Sequence, residues 1–145
     1  MQQTHARVVR LTAGPLQITA SLDASDKLVE VSLPSKIPPD LEAVDLHAAI
    51  EQLGKFKVAI PETGDFTKKV WQALRKISWG KAKTYQEIAA SLGSPKSYRA
   101  VGNACGANKL LLVIPCHRVL ASAGLGGFRL GLRWKAKLLE LESEE

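Results

Sequence analysis

Cysteine, methionine and aromatic residues are scarce in this 145-residue chain, which holds two Cys, one Met and 6% Phe, Trp and Tyr. Cys105 and Cys116 are too few for a disulfide framework, and their spacing is not that of a CxxC motif. A disulfide between them is not expected in a reducing compartment. Only three histidines occur, His5, His47 and His117, without zinc-ligand spacing, so no metal is expected. The longest apolar runs, such as Leu110–Pro115, are far too short to cross a bilayer. No basic-then-apolar leader opens the sequence, so a cytoplasmic protein that touches no membrane is expected. There is no internal repeat and no low-complexity tract.

Acidic residues are the most telling shortage. Between residues 66 and 139, fourteen Lys and Arg face a single acid, Glu87. Residues 1–60 are nearly balanced, with six basic residues against seven acidic ones. A strongly basic block beside a neutral one is the electrostatic footprint of a polyanion-binding surface. A basic face kept for solubility is the plainer reading.

What is present divides the same way. Ala6–Leu11, Leu16–Leu22 and Lys27–Leu33 are short β-branched or alternating runs split by turn residues, which predicts a three-stranded antiparallel meander. Asp40 is expected to cap a helix carrying Leu41, Val44, Leu46, Ile50 and Leu53. Residues 54–64 read as a connector. Two domains follow, 1–60 and 63–145. In the second, Asp65 is expected to cap a helix with Phe66, Val70, Leu74 and Ile77 on one stripe. Thr84 with Glu87 three residues on predicts a capping box, followed by a short helix that ends at Leu92-Gly93. A further helix from about Lys96 to Ala107 makes the pair a helix-turn-helix, and a last helix spans roughly Leu132–Leu141. The fold class is α/β: a small sheet layer with a helix, then a helical domain.

Two constellations carry chemistry. Gly102 and Gly106 lie inside the second helix of the pair, sharing a face with Arg99 and Asn103. Each glycine costs a helix about 1 kcal/mol relative to alanine. The face therefore serves close approach, either of another helix or of a DNA groove. With Arg99 nearly the only long side chain on it, DNA binding is read as shape-based, with one arginine able to enter the base stack. The second constellation is Pro115-Cys116-His117. A lone cysteine in an apolar run is usually inert core. Here Pro115 is expected to hold an extended turn, His117 can accept the thiol proton, and nearby Lys and Arg are expected to favour the thiolate. Adjacent side chains diverge, so a bridging water and a third, orienting group such as Glu142 are expected.

The sequence resembles the O6-alkylguanine-DNA alkyltransferases over about residues 63–142. The likeness rests on Phe66-Thr-Lys-Lys-Val-Trp71, Thr84-Tyr-Gln-Glu-Ile-Ala89, Arg99-Ala-Val-Gly102, Asn108, Ile114-Pro-Cys-His-Arg-Val119 and Lys135…Leu138-Leu139…Glu142. The resemblance implies a reduced ribonuclease-H-like first domain and a winged-helix-like second one. It implies a suicide reaction without cofactor, moving a methyl or larger alkyl group from guanine O6, or thymine O4, in double-stranded DNA to Cys116. His117 would take the proton through water, Glu142 would polarise His117, and Asn108 would bridge the helix pair to the active-site turn. Tyr85 would rotate the nucleotide and protonate the leaving guanine, and Arg99 would fill the gap in the duplex. Thr67, Gln86, Ser94 and Ser122 would touch the DNA backbone, while Gly102 and Asn103 belong to the approaching face. Val119, Phe128 and Arg129 would border the base pocket. A monomer acting on alkylated duplex DNA is implied.

The sequence departs from the family at Cys105, Lys109, Leu111, Leu130 and a shorter loop around Gly124-Leu125-Gly126, which bears on the alkyl groups accepted. Two rivals remain: a non-enzymatic alkyltransferase-like lesion binder, which commonly carries tryptophan in place of the cysteine, and a plain helix-turn-helix regulator.

Overall fold

The computed structural model describes residues 7–143. Ala6, the first residue of the expected leading strand, and His5 lie outside the described residues. The chain forms two compact units, residues 1–62 with 109–113 and residues 63–108 with 114–145. The segment Lys109–Val113 thus groups with the first unit, which the sequence pattern does not reveal.

In the first unit β1 (Arg7–Ala13), β2 (Leu16–Leu22) and β3 (Leu28–Ser32) form an antiparallel sheet in that order. Ala13 pairs with Leu16 across a two-residue turn in which Gly14 takes φ +58°, a backbone state that glycine adopts without a Cβ penalty. Leu16, Ile18, Ala20 and Leu22 are buried at alternate positions, as a one-sided sheet requires. The helix α1 (Ala43–Leu53) buries Leu46, Ala49 and Leu53. Its start departs from expectation: Asp40 is no cap. The chain turns at Pro38–Leu41, and the cap position falls to Glu42, whose N–H donates to Asp45 at 2.9 Å. Val44 consequently faces solvent, at 69% exposure. The connector also does structural work, since Leu28 exchanges backbone hydrogen bonds with Lys57 and Ala59.

The second unit holds α2 (Asp65–Leu74), α3 (Tyr85–Ser91), α4 (Tyr98–Gly106) and α5 (Leu132–Ser143). Gly64, not Asp65, takes the N-cap position of α2. Asp65 instead sits in the first turn, where a carboxylate favours the positive end of the helix dipole. Val70, Trp71 and Leu74 bury the inner stripe, each contributing about 1.5–3 kcal/mol of transfer free energy. The Trp71 indole N–H donates to the Ala104 carbonyl at 2.9 Å, tying α2 to α4.

The Thr84–Glu87 box forms as read, with both reciprocal bonds at 3.0 Å. Gly93, at φ +76°, ends α3: its N–H reaches the Ala90 carbonyl and that of Ser94 reaches Ala89, a Schellman arrangement. The next helix begins at Tyr98 and not near Lys96, because Ser94–Ser97 are spent on a turn closed by Ser97 N–H to Ser94 C=O at 2.9 Å. Two elements are not legible from periodicity. Cys116–Arg118 form a 3-10 turn, correcting the extended segment expected after Pro115, and β4 (Lys83–Thr84) pairs in parallel with β5 (Val119–Leu120).

Candidate active site

Tyr85, Arg99, Gly102, Cys105, Cys116, Phe128 and Arg129 meet around one cavity of about 480 Å³ in the second unit, with Tyr98, Gly106 and Gly127 completing its wall. Such a volume is typical of small-molecule sites. The two helix glycines serve an open face and not a helix contact. A Cβ on Gly102 would meet only Tyr85, at 4.0 Å, and one on Gly106 would meet nothing within 4 Å.

Next to Gly127 of the lining, Gly126 (φ +74°) brings its backbone so close to Tyr85 that a Cβ there would lie 2.6 Å from Oη. Gly127 N–H donates to that hydroxyl at 3.3 Å. Lys135 is fully buried, and its ammonium donates to the carbonyls of Val119 at 2.6 Å and Gly127 at 2.9 Å. It also stands 5.7 Å from the centre of the Tyr85 ring, within cation–π range. One buried lysine thereby joins β5, the 124–131 loop and the tyrosine.

In the cavity wall, Cys116 is 4% exposed. Asn108 donates from Nδ2 to the Ile114 carbonyl at 2.8 Å and to Cys116 Sγ at 3.3 Å, so it grips both the cysteine and the strand of chain before it. His117 Nε2 lies 2.6 Å from Glu142 Oε2. Arg118 forks onto the same carboxylate, Nε to Oε1 at 2.7 Å and Nη2 to Oε2 at 2.9 Å, and its Nη1 donates to the Ile77 carbonyl at 2.6 Å. Gly80 N–H completes the set at 3.2 Å from Oε1. His117, Arg118 and Glu142 are all buried.

The electrostatics follow from that burial. Burial acts to raise the Glu142 carboxyl, but the hydrogen bonds from His117 and Arg118 outweigh it and hold the group at about 2. Burial lowers His117, against the pull of Glu142, so the imidazole is neutral near pH 7. Burial also raises the Cys116 thiol, with the Asn108 hydrogen bond, Lys135 and Arg129 opposing it. The resting sulfur is thus a thiol, correcting the thiolate expected from local basicity. Cys105 is pushed up to about 12, chiefly by burial, and among the described residues no histidine lies in its pocket.

The profile of the 6-O-methylguanine DNA methyltransferase DNA-binding domain matches residues 65–144, more than half the chain. The chain belongs to that family. A methylated-DNA–protein-cysteine methyltransferase of Sulfolobus acidocaldarius is 54% identical over 78 residues, 54% of this chain and 49% of its own. The match spans from 23% to 60% of the length of the curated relatives. The crystal structure of Mycobacterium tuberculosis O6-methylguanine methyltransferase is similar at TM-score 0.72 and 28% identity, covering 94% of this chain and 92% of that one. The ATL protein of S. pombe, solved in complex with DNA, is similar at TM-score 0.51 and 32% identity, covering 58% of this chain and 81% of that one.

Within this methyltransferase fold the residues singled out from sequence fall into three groups. Cys116, Tyr85, Arg99, Gly102, Phe128 and Arg129 share the cavity, and Asn108, His117 and Glu142 are buried in hydrogen bonds with or beside the cysteine turn. Thr67, Gln86, Ser94, Asn103 and Ser122 do not line the cavity. Gln86, Asn103 and Ser122 are exposed, Thr67 is half-buried in the first turn of α2, and the Ser94 hydroxyl meets that of Ser97 at 2.5 Å. Val119 does not line the cavity either; its side chain is fully buried and its carbonyl serves Lys135.

Sequence reasoning gave no role to Arg118 or Lys135. For Lys135 a signal existed: it shares the i, i+3, i+7 face of α5 with Leu138 and Glu142, which marks a lysine on a buried stripe. Among the described residues no group of three or more His, Cys, Asp or Glu is arranged to hold a metal, and no helix is long and apolar enough to cross a membrane.

Proposed function

We propose that this chain repairs alkylated DNA directly, moving an alkyl group from guanine O6 in double-stranded DNA to Sγ of Cys116, once per molecule. The observation that carries the proposal is the placement of a single gripped thiol on a cavity bordered by the open face of α4, with a histidine–carboxylate pair beside it. A base inside a duplex is out of reach, so it must swing out into the cavity before reaction. Arg99, exposed at the cavity edge, is suited to take its place in the stack.

In the reaction Sγ attacks the alkyl carbon in line with the departing oxygen. The S–C bond forms as the C–O6 bond breaks, with the electron pair leaving on the guanine. Nε2 of His117 is engaged by Glu142, so the thiol proton passes to Nδ1, directly or through a solvent molecule. Tyr85, beside the cavity, gives a proton to the guanine. Burial raises the Tyr85 hydroxyl, which keeps that proton in place at rest. The product is a thioether, which water does not cleave, so each chain reacts once and no cofactor is required. Thr67, Gln86, Ser94, Asn103 and Ser122 provide backbone contacts along the duplex, and Val119 supports the pocket from behind. Residues 63–145 carry DNA binding and transfer, with 1–60 as a structural domain, in a cytoplasmic monomer. Thymine O4 is a second substrate in this reading.

A lesion-binding protein without chemistry has no use for a thiol held by Asn108 or for a buried base beside it, which speaks against that alternative. Intact-mass measurement after incubation with O6-methylguanine duplex tests the proposal. One methyl mass on the Cys116 peptide, absent from Cys116→Ala, is expected; methyl on Cys105 would overturn the site.

A further inference from the structure

A second groove of about 590 Å³ lies in the same unit, between α2, the 78–83 loop and α3, and shares no lining residue with the base cavity. Four lysines border it: Lys69 from α2, Lys76 from the turn that follows it, Lys81 from the loop and Lys83 from β4. All four are exposed, and none pairs with a carboxylate among the described residues. The one acid in the lining, Glu87, is engaged by the Thr84 N–H in the capping box. The apolar floor comes from Ile77 and Ile88, both buried.

The groove does not face the way the helix pair faces. Lys69, Gln72 and Ala73 share one face of α2, and Thr67, two residues before Lys69, falls about 200° round the helix. On α3 the groove takes Glu87, Ile88 and Ser91, with Leu92 at the C-cap, while Gln86 and Ala90 project from the far side. Thr67 and Gln86, read above as contacts to the repaired duplex, thus lie on the helix faces turned away from the groove.

We infer that this groove is a second site for the phosphate backbone of double-stranded DNA, so that one molecule holds two duplex segments. Four lysines against one carboxylate leave the groove net positive and complementary to a polyanion. No aromatic residue lines the groove, which removes the stacking platform that single strands use. Lysines are point charges and not planar forks, which suits sequence-independent contact. The inference rests on the proposed reading of α4 as the side that receives the lesion.

The test is sedimentation of the full chain with an excess of a short lesion-free duplex at low salt. Two duplexes per protein are expected for the wild type and one for the variant K69Q/K76Q/K81Q/K83Q, with two recovered when the same lysines become arginine. If all four lysines meet phosphates, affinity at the second site falls roughly 100-fold between about 50 and about 200 mM salt. The glutamine variant is expected to methylate Cys116 on a short lesion duplex at the wild-type rate. One duplex per wild-type protein overturns the inference, as do two on the glutamine variant, or loss of both duplexes together with methyl transfer. Duplex stoichiometry is read without a lesion, so absence of methyl transfer in wild type and variant alike sinks the repair reading and leaves the groove to be judged separately.

Discussion

Replacing Arg118 with methionine removes three charge-assisted hydrogen bonds from a buried position and leaves Glu142 with His117 and the Gly80 N–H alone. A carboxyl held at about 2 instead of the ordinary 4.5 corresponds to about 3 kcal/mol of preference for the ionised form, shared between His117 and Arg118. Breaking a buried pair by deleting one partner costs about 3–5 kcal/mol, because the remaining charge stays desolvated. For a domain of this size that loss lowers Tm by roughly 6–20 °C.

The pH dependence has a definite sign. A carboxyl depressed in the fold stabilises it fully above the unfolded value, 4.5, and that contribution disappears as pH falls toward about 2. The gap between wild type and Arg118→Met is therefore widest near neutrality and narrows as pH drops below about 4.5. Urea denaturation of both proteins across this range measures it. Arg118→Lys is expected to recover only part of the loss, since an ammonium keeps the charge without the fork. A difference under about 1 kcal/mol at pH 7, or one that stays constant into acid, would refute the assignment of Arg118 as the counter-charge of Glu142.

Three further outcomes are expected. Glu142→Gln removes the main influence holding the His117 pKa up, so the acid limb of the transfer rate moves to lower pH while the plateau falls at least about tenfold; a limb moving to higher pH contradicts the sign. Gly126→Ala places a Cβ against the Tyr85 hydroxyl at a positive φ, costing about 1–3 kcal/mol, and stopped-flow transfer should slow more than that stability loss explains; unchanged transfer would free Tyr85 from its role. Methylating Cys116 adds a carbon to a residue that is 4% exposed and displaces the bond its sulfur receives from Asn108, so the reacted protein should melt several degrees lower, at a cost of about 1–3 kcal/mol; equal melting curves would mean that the site has slack.

Local chemistry was legible in the sequence wherever donor and acceptor lie a few residues apart. Thr84 and Glu87 cap as read, and Gly93 stops α3 as read. Asp65 and Asp40 misled because several polar residues compete for one cap, and chain direction before the helix decides among them. The Cys116 turn and the two-residue β4–β5 pairing are too short to leave a period. Arg118 bonds a carbonyl forty-one residues away, and nothing in a linear pattern marks that partner. The thiolate expectation failed for a related reason: counting cations along the chain says nothing of how deeply the sulfur is buried.

The carboxylate that orients His117 comes from the final turn of α5, and helix ends are where backbone protons exchange first. Every transient fraying of that turn withdraws Glu142 from both His117 and Arg118. Warming should therefore silence the protein by local opening before its core melts. Amide exchange at residues 139–143 would then report the fraction of molecules still competent.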